Sequence, residues 1–201
     1  MTSPIMSEAD RIPDSLLLHA CCGPCAVWPA ERLFRKNPRL KLHLWFYNPN
    51  IQPLAEFRRR RDGLAFAVQE LIRRGRVRGG EINLTADFTA PYDQELFLAR
   101  AAENPRPPQR CRACYELRLA AAAREAAARG VEHFSTTLLF SRQQKHDLIL
   151  DSGRKAAGEA GRTFYYEDFR TGWKEGQALA REMGLYRQNF CGCIYGAQEQ
   201  G

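Results

Sequence analysis

The sequence predicts an α/β fold with a mainly parallel sheet. Short strand-like runs alternate with helical segments along the whole chain, which is the pattern of βαβ units. The apolar run Leu16–Leu18 reads as a buried strand, and it stops at a Gly-Pro loop. The 201 residues suffice for one core of ordinary size, and no internal repeat or linker divides them.

The elements follow in order. Residues 1–14 read as a flexible leader, and 15–201 as one catalytic domain. SLLLHA is the first strand. AVWPAERLFRKN is a helix with Pro29 near its first turn, where a missing N–H is tolerated. KLHLWFYN is strand-like and ends at PNIQP. LAEFRRRRDGLAFAVQELIRRG is a helix with inner positions at Leu64, Phe66, Val68, Leu71 and Ile72, interrupted by Gly63. GGEINLTADF is a further strand, and a short helix around Glu95 to Ala102 precedes the proline-rich ENPRPPQR. CYELRLAAAAREAAARG is the clearest helix, rich in alanine and stopped by Gly130. HFSTTLLFS is a strand, a polar helix starts near Gln143, RTFYYEDFR is extended, and GWKEGQALAREMG is helical.

Charged residues make up 26% and apolar ones 44% of the chain, a soluble, globular balance. No apolar run approaches the roughly 20 residues of a membrane helix. The polar first residues show no signal peptide, so a cytoplasmic protein with reduced thiols is expected. The net charge of +7 favours an acidic partner, for which nucleic acid is the commonest candidate.

The seven cysteines fall into three groups: Cys21-Cys22-x-x-Cys25, Cys111-x-x-Cys114 and Cys191-x-Cys193. In a reduced compartment this points to metal or redox chemistry. A Cys-x-x-Cys spacing on a tight turn or first helical turn puts two sulfurs on one side, and two such pairs supply four thiolates for zinc or an iron–sulfur cluster. A structural zinc is the plainer reading. A cluster is preferred, because the chain is long enough to build its own core and the pairs sit on different elements. The first group also lies at the carboxyl end of a strand, where ligands bind in open parallel sheets. A disulfide closed across Cys191-Gly192-Cys193 would be strained and easily reduced, as catalytic bonds are. Two metal ligands or two inert thiols are the alternatives.

Other groups stand at candidate positions. Arg58, Arg59, Arg60 and Arg61, continued by Arg73, Arg74, Arg76 and Arg78, form either a phosphate-contacting face or a solvated one. His19 or Asp168 is a candidate proton donor, and His19 is otherwise a structural histidine. Asp168 and Arg170 bind a polar substrate edge or pair with each other. Ser135, Thr136 and Thr137 at a strand end, and Tyr47, Asn48 and Asn50 before a turn, are candidate ligand contacts or plain strand and turn formers.

Taken in order, LLLHACCGPC, FYNPNIQPLAEFRRR, CRACYELRL, FSTTLLFSRQQ, FYYEDFRTGW and LYRQNFCGCIY resemble the epoxyqueuosine reductases of the QueH type, over residues 16 to about 196. The resemblance implies a single-domain, Rossmann-like three-layer fold. It implies reduction of the epoxide of epoxyqueuosine at the tRNA wobble position to queuosine, the last step of that synthesis, with an external electron donor. It implies a [4Fe-4S] cluster held by Cys21, Cys22, Cys111 and Cys114, an adjacent iron ion, and a redox-active pair in Cys191 and Cys193. Cys25 is assigned to the second metal. Phe57 and Phe190 stand where tyrosine is more usual in that family. The competing readings are an iron–sulfur tRNA sulfur transferase, for which no phosphate loop is seen, a zinc-stabilised RNA-binding module, and a thiol–disulfide oxidoreductase.

Overall fold

A computed structural model describes residues 12–77 and 81–198. Most of the expected leader, residues 1–11, lies outside the described residues, as does Arg78. The last leader residues are packed: Ile12 is buried in the core, and the Asp14 carbonyl accepts a hydrogen bond from the Lys41 amide at 2.8 Å.

The strands are β1 (Ser15–His19), β2 (Lys41–Trp45), β3 (Asn83–Asp87), β4 (His133–Thr136) and β5 (Thr163–Phe164). All pairings are parallel, in the order β3-β2-β1-β4-β5. The helices are α1 (Gly23–Lys36), α2 (Leu54–Val77), α3 (Gln94–Glu103), α4 (Gln109–Ala128), α5 (His146–Ala160), α6 (Trp173–Glu182) and α7 (Ile194–Gln198). One layer packs α1 against α2 and α6, and the other packs α4 against α3 and α5. The three-layer α/β fold predicted from the sequence is the fold observed.

Leu16, Leu17 and Leu18 of β1 have no exposed surface, because β1 is central and covered on both faces. The sheet order reverses at β1: β2 follows on one side and β4 on the other. The crevice between the carboxyl ends of β1 and β4 is therefore the switch point at which open α/β sheets bind ligands.

Several elements differ from expectation, each for a local reason. Helix α1 starts at Gly23, so Pro29 lies inside it rather than in the first turn. Helix α2 runs unbroken through Gly63, where a Cβ would meet nothing within 4 Å, whereas a Cβ on Gly23 would sit 2.6 Å from the Gly63 carbonyl oxygen. The close approach of α1 to α2 thus requires glycine at position 23. Phe66 is half exposed instead of inward. The run after β4 turns into a 3-10 turn at Thr137–Phe140, because the Thr136 hydroxyl accepts the Leu138 amide. β5 is only two residues long. α7 had no signal in the sequence reading.

Candidate active site

The chain leaves β1 through the Ala20 amide, which still bonds to the Trp45 carbonyl at 2.8 Å, and then turns through Cys21 and Cys22 into α1. The ligand atoms of Cys21, Cys22 and Cys25 lie within 4.8 Å of one another. Cys21 and Cys22 sulfurs are 3.7 Å apart. From the end of β4, the Thr137 hydroxyl accepts the Cys21 amide at 3.1 Å and donates to the Cys21 sulfur at 3.4 Å. Gln188 Nε2 donates to Cys22 Sγ at 2.8 Å. Hydrogen bonds from the Cys22 and Cys25 thiols hold the Cys21 thiol well below its ordinary pKa. Burial pushes Cys22 up to about 12, and the bonds to the other two sulfurs push Cys25 upward. Three sulfurs so close, one of them readily ionised at a helix N-terminus, form a donor set suited to a thiophilic metal.

Cys111 and Cys114 lie in the first turns of α4, on one side of it. They line a cavity of about 200 Å³ together with Cys191 and Cys193. A second cavity of about 110 Å³ is lined by Cys21 and Cys25, and Cys191, Gln143 and Gln144 border both. All three cysteine groups therefore meet at two adjoining cavities. Cys25 lies beside Cys21 and Cys22, while Cys111 and Cys114 line the cavity they share with the tail pair.

Cys191 and Cys193 are both free thiols, with sulfurs 3.6 Å apart. Gly192 between them has φ +109°, and a Cβ there would meet Ile51 at 2.9 Å and Arg60 Nη1 at 3.0 Å. The loop is anchored to the segment before α2, since the Gln52 amide bonds to the Gly192 carbonyl at 2.9 Å and Gln52 Oε1 accepts the Ile194 amide at 3.2 Å. The hydrogen bond from the Cys193 thiol lowers Cys191 to about 6, against the pull of burial.

Arg60 is the member of the arginine run that the structure removes from the solvent face. It is 2% exposed, pairs with Glu56 at 2.6 Å, and donates to the carbonyls of Phe190 and Cys191 at 3.3 Å. Its position on α2 turns it toward the tail loop, so it anchors that loop and offers nothing to a phosphate. Arg58 and Arg59 are exposed, Arg59 stacking on Tyr186 at 3.5 Å, and Arg61 is partly exposed beside Asp62.

His19 is fully buried. Its Nε2 donates to the Tyr47 carbonyl at 2.9 Å, which leaves Nδ1 to accept from the Thr136 hydroxyl at 2.9 Å. Burial and the nearby Arg118 lower its pKa to about 3, and the side chain lines neither cysteine cavity. Asp168 and Arg170 pair with each other at 2.6 and 2.8 Å and also lie outside both cavities. Tyr47 stacks on Trp45, and Asn48 donates to the Ala20 carbonyl at 2.9 Å. Ser135 is buried with no partner for its hydroxyl. Asn50 lines the larger cysteine cavity, and its buried Oδ1 has no partner.

Sequence reading missed Arg118, Gln188, Gln143, Gln144 and Tyr115. Arg118 follows Cys114 by four residues and so shares its helix face, a signal that spacing carried. Tyr115 donates to Gln144 Oε1 at 2.7 Å and fixes that wall of the cavity. A wider groove of about 520 Å³ between α3, α4 and α5, bordered by Arg100, Arg112, Arg124 and Lys155, contains no cysteine. Among the described residues no helix is long and apolar enough to cross a membrane.

A family model described as epoxyqueuosine reductase QueH matches residues 16–199. The chain is 33% identical over 188 residues to the epoxyqueuosine reductase QueH of Thermotoga maritima, covering 92% of each chain. It is 31% identical over 186 residues to that of Dehalococcoides mccartyi, covering 92% of this chain and 93% of the relative. With that of Streptococcus pyogenes serotype M1 it shares 28% over 198 residues, 96% of this chain and 74% of the relative.

Proposed function

The chain belongs to the epoxyqueuosine reductase QueH family, and on that premise we propose how its own residues serve the reaction. The protein is an oxidoreductase of queuosine synthesis, reducing epoxyqueuosine to queuosine. The observation that supports the site assignment is the convergence of three distant cysteine groups on two adjoining cavities at the switch point of the sheet.

Removing an epoxide oxygen consumes two electrons and two protons. Both C–O bonds break, a C=C bond forms, and the oxygen leaves as water. The dithiol of Cys191 and Cys193 holds that complement: an S–S bond forms, two electrons pass to the carbon centres, and the two thiol protons leave with the oxygen. An external reductant then reopens the disulfide. The sulfurs already lie 3.6 Å apart, and Gly192 supplies the backbone bend that brings them together.

The remaining thiols fit a thiolate-held metal centre. Cys21, Cys22, Cys111 and Cys114 would hold an iron–sulfur cluster, and Cys25 an adjacent iron. When bound, such a centre supplies single electrons and a Lewis acid. Around it the chain contributes polar contacts. Asn50 lines the larger cavity, and its buried Oδ1 has no partner within the protein. Gln143 and Gln144 border both cavities and orient the extruded wobble nucleotide. Arg58, Arg59 and Arg61, in a chain of net charge +7, contact the tRNA backbone.

The experiment is purification without oxygen, with iron, sulfide and zinc content and EPR spectra, for wild type and Cys111→Ala. Brown protein holding about four to five irons, bleached in the variant and converting epoxyqueuosine tRNA, is the expected result. Colourless protein with one zinc per chain and no turnover would replace this reading with a zinc-stabilised RNA-binding module.

A further inference from the structure

Arg118 projects from α4 into the space between the cysteine groups. It is 2% exposed and lines the larger cysteine cavity. Its Nη2 donates to Asn48 Oδ1 at 2.6 Å, and its Nη1 lies 4.0 Å from Cys114 Sγ. Its Nε has no partner. Asn48 cannot turn away, because its own amide nitrogen is committed to the Ala20 carbonyl, just before Cys21.

Among the described residues no carboxylate lies within ion-pair distance of this guanidinium. The contrast with Arg60 is direct, since that side chain is equally buried but is paired with Glu56 at 2.6 Å. A guanidinium does not shed its proton in a protein, and a buried charge without a counter-charge is costly. The sulfur of Cys114, 4.0 Å from Nη1, supplies a counter-charge when it ligates a metal as thiolate. We propose that Arg118 is the positioning cation of the cysteine centre, a fixed positive charge held by Asn48 beside Cys114 that favours the thiolate-ligated state and is itself uncompensated until that state forms. The proposal rests on the metal-centre reading above.

A positioning cation and a structural arginine predict opposite changes in stability. Arg118→Gln keeps an amide near Asn48 and removes the charge, and Arg118→Lys restores the charge without the fork. Wild type and both variants are prepared metal-free in reducing, oxygen-free buffer. Thermal midpoints are measured first, and Co²⁺ is then titrated in, its sulfur-to-metal absorption reporting thiolate ligation. The expected result is that Arg118→Gln is at least as stable as wild type without metal, yet binds Co²⁺ at least tenfold more weakly. Arg118→Lys recovers most of the affinity. An Arg118→Gln chain that is markedly less stable or does not fold, or one that binds Co²⁺ as tightly as wild type, overturns the proposal. Wild type that acquires no sulfur-to-metal band overturns the metal-centre reading as well, which separates the two failures.

Discussion

The amide of Gly196 points at Cys193 Sγ from 3.2 Å, and a Cβ on the same glycine would sit 2.7 Å from Cys191 Sγ. One residue at the start of α7 thus touches both sulfurs of the tail pair, bonding one and leaving room for the other. The shared hydrogen bond between the thiols lowers Cys191 to about 6. In metal-free, reduced protein, the rate of alkylation at Cys191 should therefore rise with pH through a midpoint near 6. Below that the thiol is protonated and slow; above it the thiolate dominates. Cys193→Ala removes the donor and should move the midpoint upward. Peptide mass mapping after brief iodoacetamide treatment reads both, and an unmoved midpoint would refute the pairing.

The packing of α1 on α2 makes a contrast between two glycines. Gly23→Ala drives a Cβ into the Gly63 carbonyl at 2.6 Å, and backbone cannot give way as a side chain can. A loss of about 1–3 kcal/mol is expected, of the size seen for overpacking. Gly63→Ala meets nothing within 4 Å and lies within a helix, so it should stabilise by about 0.5–1 kcal/mol. Urea unfolding of the two variants tests the pair.

Glu167 ties the segment after β5 to α1. It accepts from Lys36 at 2.8 Å, Arg32 at 3.0 Å and the Tyr165 hydroxyl at 2.7 Å. Burial pushes its carboxyl up, but these bonds prevail and hold it below the ordinary value of 4.5. Its folded pKa being depressed, the contribution is full above pH 4.5 and is lost as pH falls through the folded value. Glu167→Gln should cost about 1 kcal/mol at pH 7, given two partly exposed cationic partners. The gap to wild type should narrow between pH 5 and 3, and urea midpoints across that range would show it.

The parallel sheet and the three cysteine groups were legible because each has a local signature, alternating runs for one and Cys spacings for the other. The switch-point location followed from β1 ending at the first group. What was not legible depended on contacts between distant segments. Arg60 looks like any member of an arginine run until the tail loop docks on it. Gly23 reads as a plain loop glycine until the Gly63 carbonyl of α2 is found beside it. Cys25 shares a group with Cys21 and Cys22 by spacing, but the closeness of its sulfur to theirs depends on α1 beginning at Gly23. Arg118 was visible as a helix position but not as a buried charge, since burial is set by Asn48 and the cavity around it.

The bond from Gln188 to Cys22 spans 166 positions of sequence. That separation has a consequence for biogenesis. The first sulfurs are synthesised early, while Gln188 and the tail pair arrive late in translation. The wall that residues 188–193 give to both cysteine cavities is therefore set in place by the last part of the chain to be made.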